Sequence, residues 1–307
     1  MYCRLSISSR ILFTLLAASL TSRQLPAQTQ DAFSWASQAI TGYRVLPNTT
    51  YQTASNWDAK LDLYLPRNAA EPVPTLVYIH GGGWVGGSKD ADVLFFLPYI
   101  QMGWAVVNVE YRLARVALAP AAVEDCRCAL RWVFKNAKEY KFDTTKIVVT
   151  GGSAGGHLSL MTGMLTSEAG LDRQCAASGE VNVAAIINWY GITDVVDLLD
   201  GPDMKSYAVL WMGSMTNRED IAKRVSPLTY VRKGLPPILT IHGDADPIVP
   251  YAHAVRLRDA LDKAGVPNKL LTIPGGKHGG FTPEEMKNIY ASIREFLAEQ
   301  GIWNASR

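Results

Sequence analysis

Short runs of apolar and β-branched residues alternate along the chain with longer stretches of helical spacing. That alternation predicts an α/β fold with a mostly parallel central sheet flanked by helices. Strands are expected near Lys60 to Leu65, Thr75 to His80, Trp104 to Glu110, Lys146 to Thr150, Ala184 to Trp189, Pro237 to His242 and Lys269 to Ile273. Helices are expected near Ala91 to Met102, Ala119 to Tyr140, Ala154 to Thr166, Ala252 to Ala264 and Pro283 to Gln300. The runs VYIH, KIVVT and ILTIH are apolar at consecutive positions, as expected of strands buried between two helix layers. Residues 194–233 break the alternation with a stretch rich in Asp, Met, Tyr and Gly, read as a small lid insertion over one end of the sheet. No Pro/Ser/Gly linker separates two halves, so residues 28–307 are expected to form one domain.

The N-terminus has a different pattern. Arg4 and Arg10 precede the apolar run Ile11 to Leu20, which is half the roughly 20 residues that a spanning helix needs. Residues 1–27 are therefore expected to be a signal peptide cut after Ala27, with export to a periplasm or the extracellular space and no integral membrane association. This changes the meaning of the charge. The whole chain carries 30 Lys and Arg against 28 Asp and Glu, a net of +2, but Arg4, Arg10 and Arg23 belong to the leader. The remainder is near neutral, and no Lys/Arg run offers a footprint for nucleic acid.

Of four cysteines, Cys3 falls in the leader, and Cys126, Cys128 and Cys175 remain. An odd number cannot close a disulfide framework, and the spacing fits no metal site. Buried free thiols are the expectation for all three, with a bond from Cys175 to Cys126 or Cys128 as the alternative.

Candidate chemistry lies where strands end. Gly151-Gly152-Ser153-Ala154-Gly155 sits between an expected strand and helix. A serine held on such a sharp turn needs small neighbours two positions before and after, because the backbone is strained and the hydroxyl must stand free at the head of the helix. His80-Gly81-Gly82-Gly83-Trp84 follows the strand TLVYIH, and its glycines let backbone N–H groups approach a developing oxyanion. Neither a P-loop nor a dinucleotide fingerprint is present. Near the C-terminus, Asp244 and Asp246 follow the strand PILTIH, and His278 lies in the turn Gly275-Gly276-Lys277-His278-Gly279-Gly280. A histidine in a glycine-lined loop has little packing reason to be there. Asp246 is preferred over Asp244 because the residue before Pro247 is held extended, and Asp194 is the outlying choice. His80, His157, His242 and His253 have structural explanations as strand-end or helix residues.

These residues carry a resemblance. LDLYLP (61–66), HGGGWVGGSK (80–89), VEYRLA (109–114), PAAVEDCRCALRW (120–132), VTGGSAGGHLSL (149–160), HGDADPIVP (242–250) and GGKHGGF (275–281) occur in the order found in one group of enzymes. The chain resembles the α/β-hydrolase carboxylesterases of the hormone-sensitive-lipase and bifunctional feruloyl/acetyl-xylan esterase type. That resemblance implies a serine nucleophile at Ser153, an acid at Asp246, a base at His278, and oxyanion donors at Gly82, Gly83 and Ala154. It implies a small-molecule or polysaccharide-linked ester as substrate, with no metal or cofactor. Trp84, Tyr207, Trp211 and Met212 are expected to line an acyl or aryl pocket. Two other readings are another serine hydrolase on the same scaffold, a peptidase or arylformamidase, and a non-catalytic binding protein.

Overall fold

A computed structural model describes residues 27–176, 179 and 181–304, so the apolar run Ile11 to Leu20 lies outside the described residues. The chain divides at Gln38/Ala39, and the sheet and its helix layers belong to residues 39–307. In chain order the elements are α1 (Ala27–Gly42), β1 (Tyr43–Ala54), β2 (Trp57–Pro66), β3 (Val73–Ile79), α2 (Leu97–Gln101), β4 (Ala105–Val109), α3 (Ala121–Lys135), α4 (Ala137–Tyr140), β5 (Phe142–Gly152) and α5 (Ala154–Met164). They continue with β6 (Ala185–Trp189), α6 (Ser206–Met212), α7 (Arg218–Arg224), β7 (Ile238–Gly243), α8 (Ala252–Lys263), β8 (Asn268–Ile273) and α9 (Pro283–Glu299).

Among the described residues the strands form one eight-stranded sheet in the order β1-β2-β4-β3-β5-β6-β7-β8. β1/β2 and β2/β4 pair antiparallel and every other neighbouring pair is parallel. Alternate residues of each strand point to opposite faces, and the core divides accordingly. Val77, Ile79, Val107, Val149 and Ile186 pack with α3, α5 and α8 through residues such as Val123, Leu130, Leu158, Met161 and Leu257. Leu76, Tyr78, Val106, Val148 and Ile187 pack on the other face with α2 and α9 through Tyr99, Ile100, Ile289, Ile293 and Phe296. This is why the central strands read as unbroken apolar runs. α5 is buried on nearly all sides, which explains its lack of a polar face. α9 starts sharply at a reciprocal cap: Glu285 N donates to Thr282 Oγ1 (3.3 Å) and Thr282 N to Glu285 Oε2 (2.7 Å), with Pro283 in the first turn.

The apolar pattern does not predict β1. Its sequence YRVLPNTTYQTA carries a proline and several polar residues, and the strand is an irregular edge with register shifts between Leu46/Thr49 and Thr50/Gln52. The tight Ser55-Asn56 turn to β2, with φ of 52° and 59°, uses the positive-φ geometry that suits a two-residue hairpin. Residues 194–233, expected as a lid, lie between β6 and β7 and contain α6 and α7. Their inner side chains Ala208, Trp211, Met212, Ala222 and Val225 belong to the core cluster.

The expectation of three free thiols is corrected. Cys128 and Cys175 are joined by a disulfide across a Cα separation of 4.9 Å, and among the described residues Cys126 alone is free, and it is buried. The two positions on α3 point to different sides, and only Cys128 meets the segment that carries Cys175. Asp172 anchors that segment between Arg131 Nη2 (2.7 Å) and Arg127 Nη2 (3.1 Å), in buried contacts that the cysteine spacing does not encode. The cross-link ties residues 47 apart, so opening it with Cys128→Ala/Cys175→Ala should cost about 2–4 kcal/mol. Urea unfolding of oxidised wild type and the double variant measures this; coincident midpoints would refute it.

Candidate active site

The carboxyl ends of the parallel strands gather the sequence-predicted residues at one edge of the sheet, where open α/β sheets place their sites. Ser153 stands between β5 and α5 at φ 59°, ψ −121°, a conformation unfavourable for a non-glycine residue. Its N–H donates to Trp189 O (2.9 Å), which pins the turn to β6. A Cβ on Gly151 or on Gly155 would overlap the Ile79 carbonyl oxygen, and one on Gly156 would lie 2.6 Å from Asn188 Oδ1. The small residues are therefore required by the closeness of β3 and β6, not only by the turn.

His278 Nε2 lies 2.8 Å from Ser153 Oγ, and His278 Nδ1 lies 2.7 Å from Asp246 Oδ2. Asp246 is completed by the N–H groups of Ile248 (2.7 Å) and Val249 (3.0 Å) on Oδ1. His242 Nε2 approaches Oδ2 at 3.2 Å and Val249 O at 3.1 Å, so it faces two acceptors and donates. Burial alone would push the Asp246 carboxyl up. The His242 and His278 rings and the Ile248 N–H outweigh it and hold the group well below the usual carboxylate range. The role of His242 escapes the sequence reading, which takes it as the end of a strand. Its only sequence signal is the spacing of four to Asp246. Asp244 instead accepts from Gly275 N (2.6 Å), and Asp194 lies 3.5 Å from Arg256 Nη1, so neither reaches His278.

The glycine loop abuts the serine turn: a Cβ on Gly81 would lie 2.9 Å from Gly152 O and 3.6 Å from Ser153 Cβ. Gly82 (φ 113°) and Gly83 (φ 60°) line the same cavity as Ser153, and Ala154 opens α5, where the first N–H groups have no intrahelical partner. A side chain on Gly82 would collide with the Gly86 carbonyl. Tyr111 braces the loop from below, with its hydroxyl donating to His80 O (3.1 Å) and its ring stacked on His80 at 4.2 Å.

The pocket expectation is corrected in part. Tyr207 lines a cavity of about 450 Å³ beside Ser153 and His278, whereas Trp84, Trp211 and Met212 are wholly buried behind the wall. Trp84 turns inward because its indole finds partners there: Nε1 donates to His157 Nδ1 (3.2 Å), and its ring stacks on Trp211 at 4.0 Å. The opposite wall is aromatic, which the sequence pattern does not signal. Tyr78, Phe95, Tyr99, Trp189, Tyr190 and Tyr290 line it, with Tyr190 packed 4.7 Å from the His278 ring. They come from separate segments, so no local spacing marks them.

Two histidines anchor residues 193–225 from beneath. His157 accepts from Trp84 and donates through Nε2 to Val225 O (2.6 Å); His253 Nδ1 accepts from Thr193 N (3.1 Å). Burial lowers each to about 4, with Arg256 adding to the effect at His253. Each would titrate near 6.5 when unfolded, so the unfolded chain binds more protons between these values. The stability contribution is present above pH 6.5 and is lost as pH falls toward 4, by about 1.4 kcal/mol per pH unit for each histidine. Urea unfolding at pH 7.5 and 5.0 should differ by several kcal/mol; a flat profile across that interval would refute the linkage.

Comparison with known proteins agrees with this architecture. The family described as BD-FAE matches residues 61–261, well over half the chain. The esterase LipC of Mycobacterium tuberculosis is 28% identical over 219 residues, which is 68% of this chain and 53% of LipC. Esterase LipQ of the same organism is 29% identical over 62% of this chain and 46% of its own length, so the chain spans about half the length of these curated relatives. Among solved structures, the thermophilic esterase Est2 of Thermogutta terrifontis superposes with a TM-score of 0.71 at 28% identity, covering 86% of this chain and 95% of that one. A truncated carbohydrate esterase from gut microbiota gives 0.68 at 29% identity, covering 84% and 97%. Because the match spans well over half of the chain, the chain belongs to the BD-FAE family.

Proposed function

We propose that this protein is a serine carboxylesterase that works through an acyl-enzyme, with Ser153 as nucleophile, His278 as general base and Asp246 as the orienting acid. The continuous relay from Asp246 through His278 to Ser153, at 2.7 and 2.8 Å beside an open cavity, carries this reading. His278 Nε2 takes the Ser153 proton as Oγ attacks the ester carbonyl. The oxyanion is met by the N–H groups of Gly82, Gly83 and Ala154, each such donor worth about 3 kcal/mol. His278 then returns the proton to the departing alcohol, and water repeats the sequence on the acyl group. Asp246 stays ionised throughout, consistent with the four donors around it.

The substrate reading is an acetyl or feruloyl ester of plant polysaccharide. Family membership and the aromatic cavity wall support it, and a 450 Å³ space accommodates an aryl acyl group. Export to a periplasm or the extracellular space is part of the same proposal. The leader-like N-terminus supports it, as does the disulfide, which persists in oxidising compartments. No described helix is long and apolar enough to cross a membrane.

Hydrolysis of p-nitrophenyl acyl esters, methyl ferulate and acetylated xylan tests the assignment. Turnover of the short p-nitrophenyl ester together with methyl ferulate or acetylated xylan is the expected result. A protein active on none of them refutes the esterase reading, and one confined to p-nitrophenyl esters refutes the polysaccharide reading.

A further inference from the structure

The aromatic side of the cavity contains one carboxylate. Asp92 precedes the short helical turn Val93–Phe96 and lines the cavity with Tyr78, Tyr99, Tyr190 and Tyr290. No lysine or arginine lines it, and the other charge-bearing side chain there is His278, whose charge is matched by Asp246. Asp92 does not cap its own turn and takes part in no ion pair among the described residues. The nearest lysine in sequence, Lys89, is committed to Asp62 and Asp90, both at 2.8 Å. Burial raises the phenols of both Tyr78 and Tyr190, and the nearby charge of Asp92 raises them further.

A carboxylate with no internal counter-ion, beside several π-faces, presents the same sign to a ligand from every direction. Aromatic faces attract cations, and the carboxylate adds direct attraction strengthened by partial desolvation. An anion meets both as repulsion. We propose that Asp92 sets the charge selectivity of this cavity, which takes cationic esters in preference to neutral ones of the same shape and neutral ones in preference to esters bearing a free carboxylate. This deepens the esterase reading and rests on it. Neutral acetyl and feruloyl esters occupy the middle of the order, and ammonium-bearing esters form an additional substrate class.

The test compares three acetate esters of matched size: that of choline, that of 3,3-dimethylbutanol, and that of a hydroxy acid of similar length. A matching series with the charge on the acyl side covers the other orientation of the substrate. In at least one series, kcat/KM of the wild type should fall about tenfold at each step from cation to neutral to anion, mainly through KM. Asp92→Asn should compress the spread to within about threefold, and Asp92→Glu should keep its order. Raising the ionic strength from about 0.01 to about 1 M shortens the screening length from about 30 to about 3 Å, so the wild-type spread should also narrow with salt. This arm needs no variant to fold. A flat order in both series, or an order that survives Asp92→Asn, overturns the inference while leaving the esterase reading intact. Failure to cleave even the neutral ester overturns both.

Discussion

Ser153→Ala is expected to lower kcat/KM for a short p-nitrophenyl ester by roughly 10⁵- to 10⁶-fold, because serine and base act as a unit and neither retains much of the effect alone. The fold should survive. Alanine fits the same φ of 59° and the same space, and the N–H bond to Trp189 O is unaffected. The thermal midpoint should stay within a few degrees of wild type, and labelling by a fluorophosphonate should disappear with the activity. Near-normal turnover in the folded variant would remove Ser153 from the mechanism and leave the relay without its first atom.

The second large effect belongs to Asp246. Asp246→Asn is nearly isosteric and should reduce kcat by about 10⁴-fold. The surroundings give the reason. Oδ1 accepts from Ile248 and Val249 N–H, so the asparagine carbonyl oxygen must occupy that position. The amide NH₂ is then directed at His278 Nδ1, and the imidazole must place its proton on Nε2, facing Ser153 Oγ, where it cannot accept a proton. The same NH₂ also confronts the His242 Nε2–H donor. Asp244→Asn, which removes a contact to Gly275 in the same turn, is the control and should change kcat less than threefold. Equal losses in both variants would show that the turn matters as a whole and that Asp246 has no separate role.

Local requirements were legible in the sequence. Gly151, Gly155 and Gly156 flank a serine whose backbone cannot otherwise bend, and Gly82 sits where a side chain would meet Gly86. Such positions show because a close backbone approach excludes every larger residue. The buried strands showed as well, since helices cover both their faces and leave no polar alternation. β1 was hidden because an irregular edge strand is bound mainly by backbone pairing, which does not require apolar residues.

Side-chain destinations were not legible. Trp84 could equally have faced the cavity, but a buried indole N–H requires an acceptor, and His157, 73 residues away, supplies it. Cys128 and Cys175 are joined because an anchored loop passes α3 on one side, and Asp92 became part of a cavity wall only through the packing of α2 and α9. The serine turn, the glycine loop, the His278 loop and the choice of Asp246 before Pro247 were legible because each depends on neighbours along the chain. Folding of the layers set which aromatics line the cavity, the approach of His242 to the relay, and which thiols pair. Those outcomes depend on distances between residues far apart in the chain, and on which buried polar group finds a partner once the layers close.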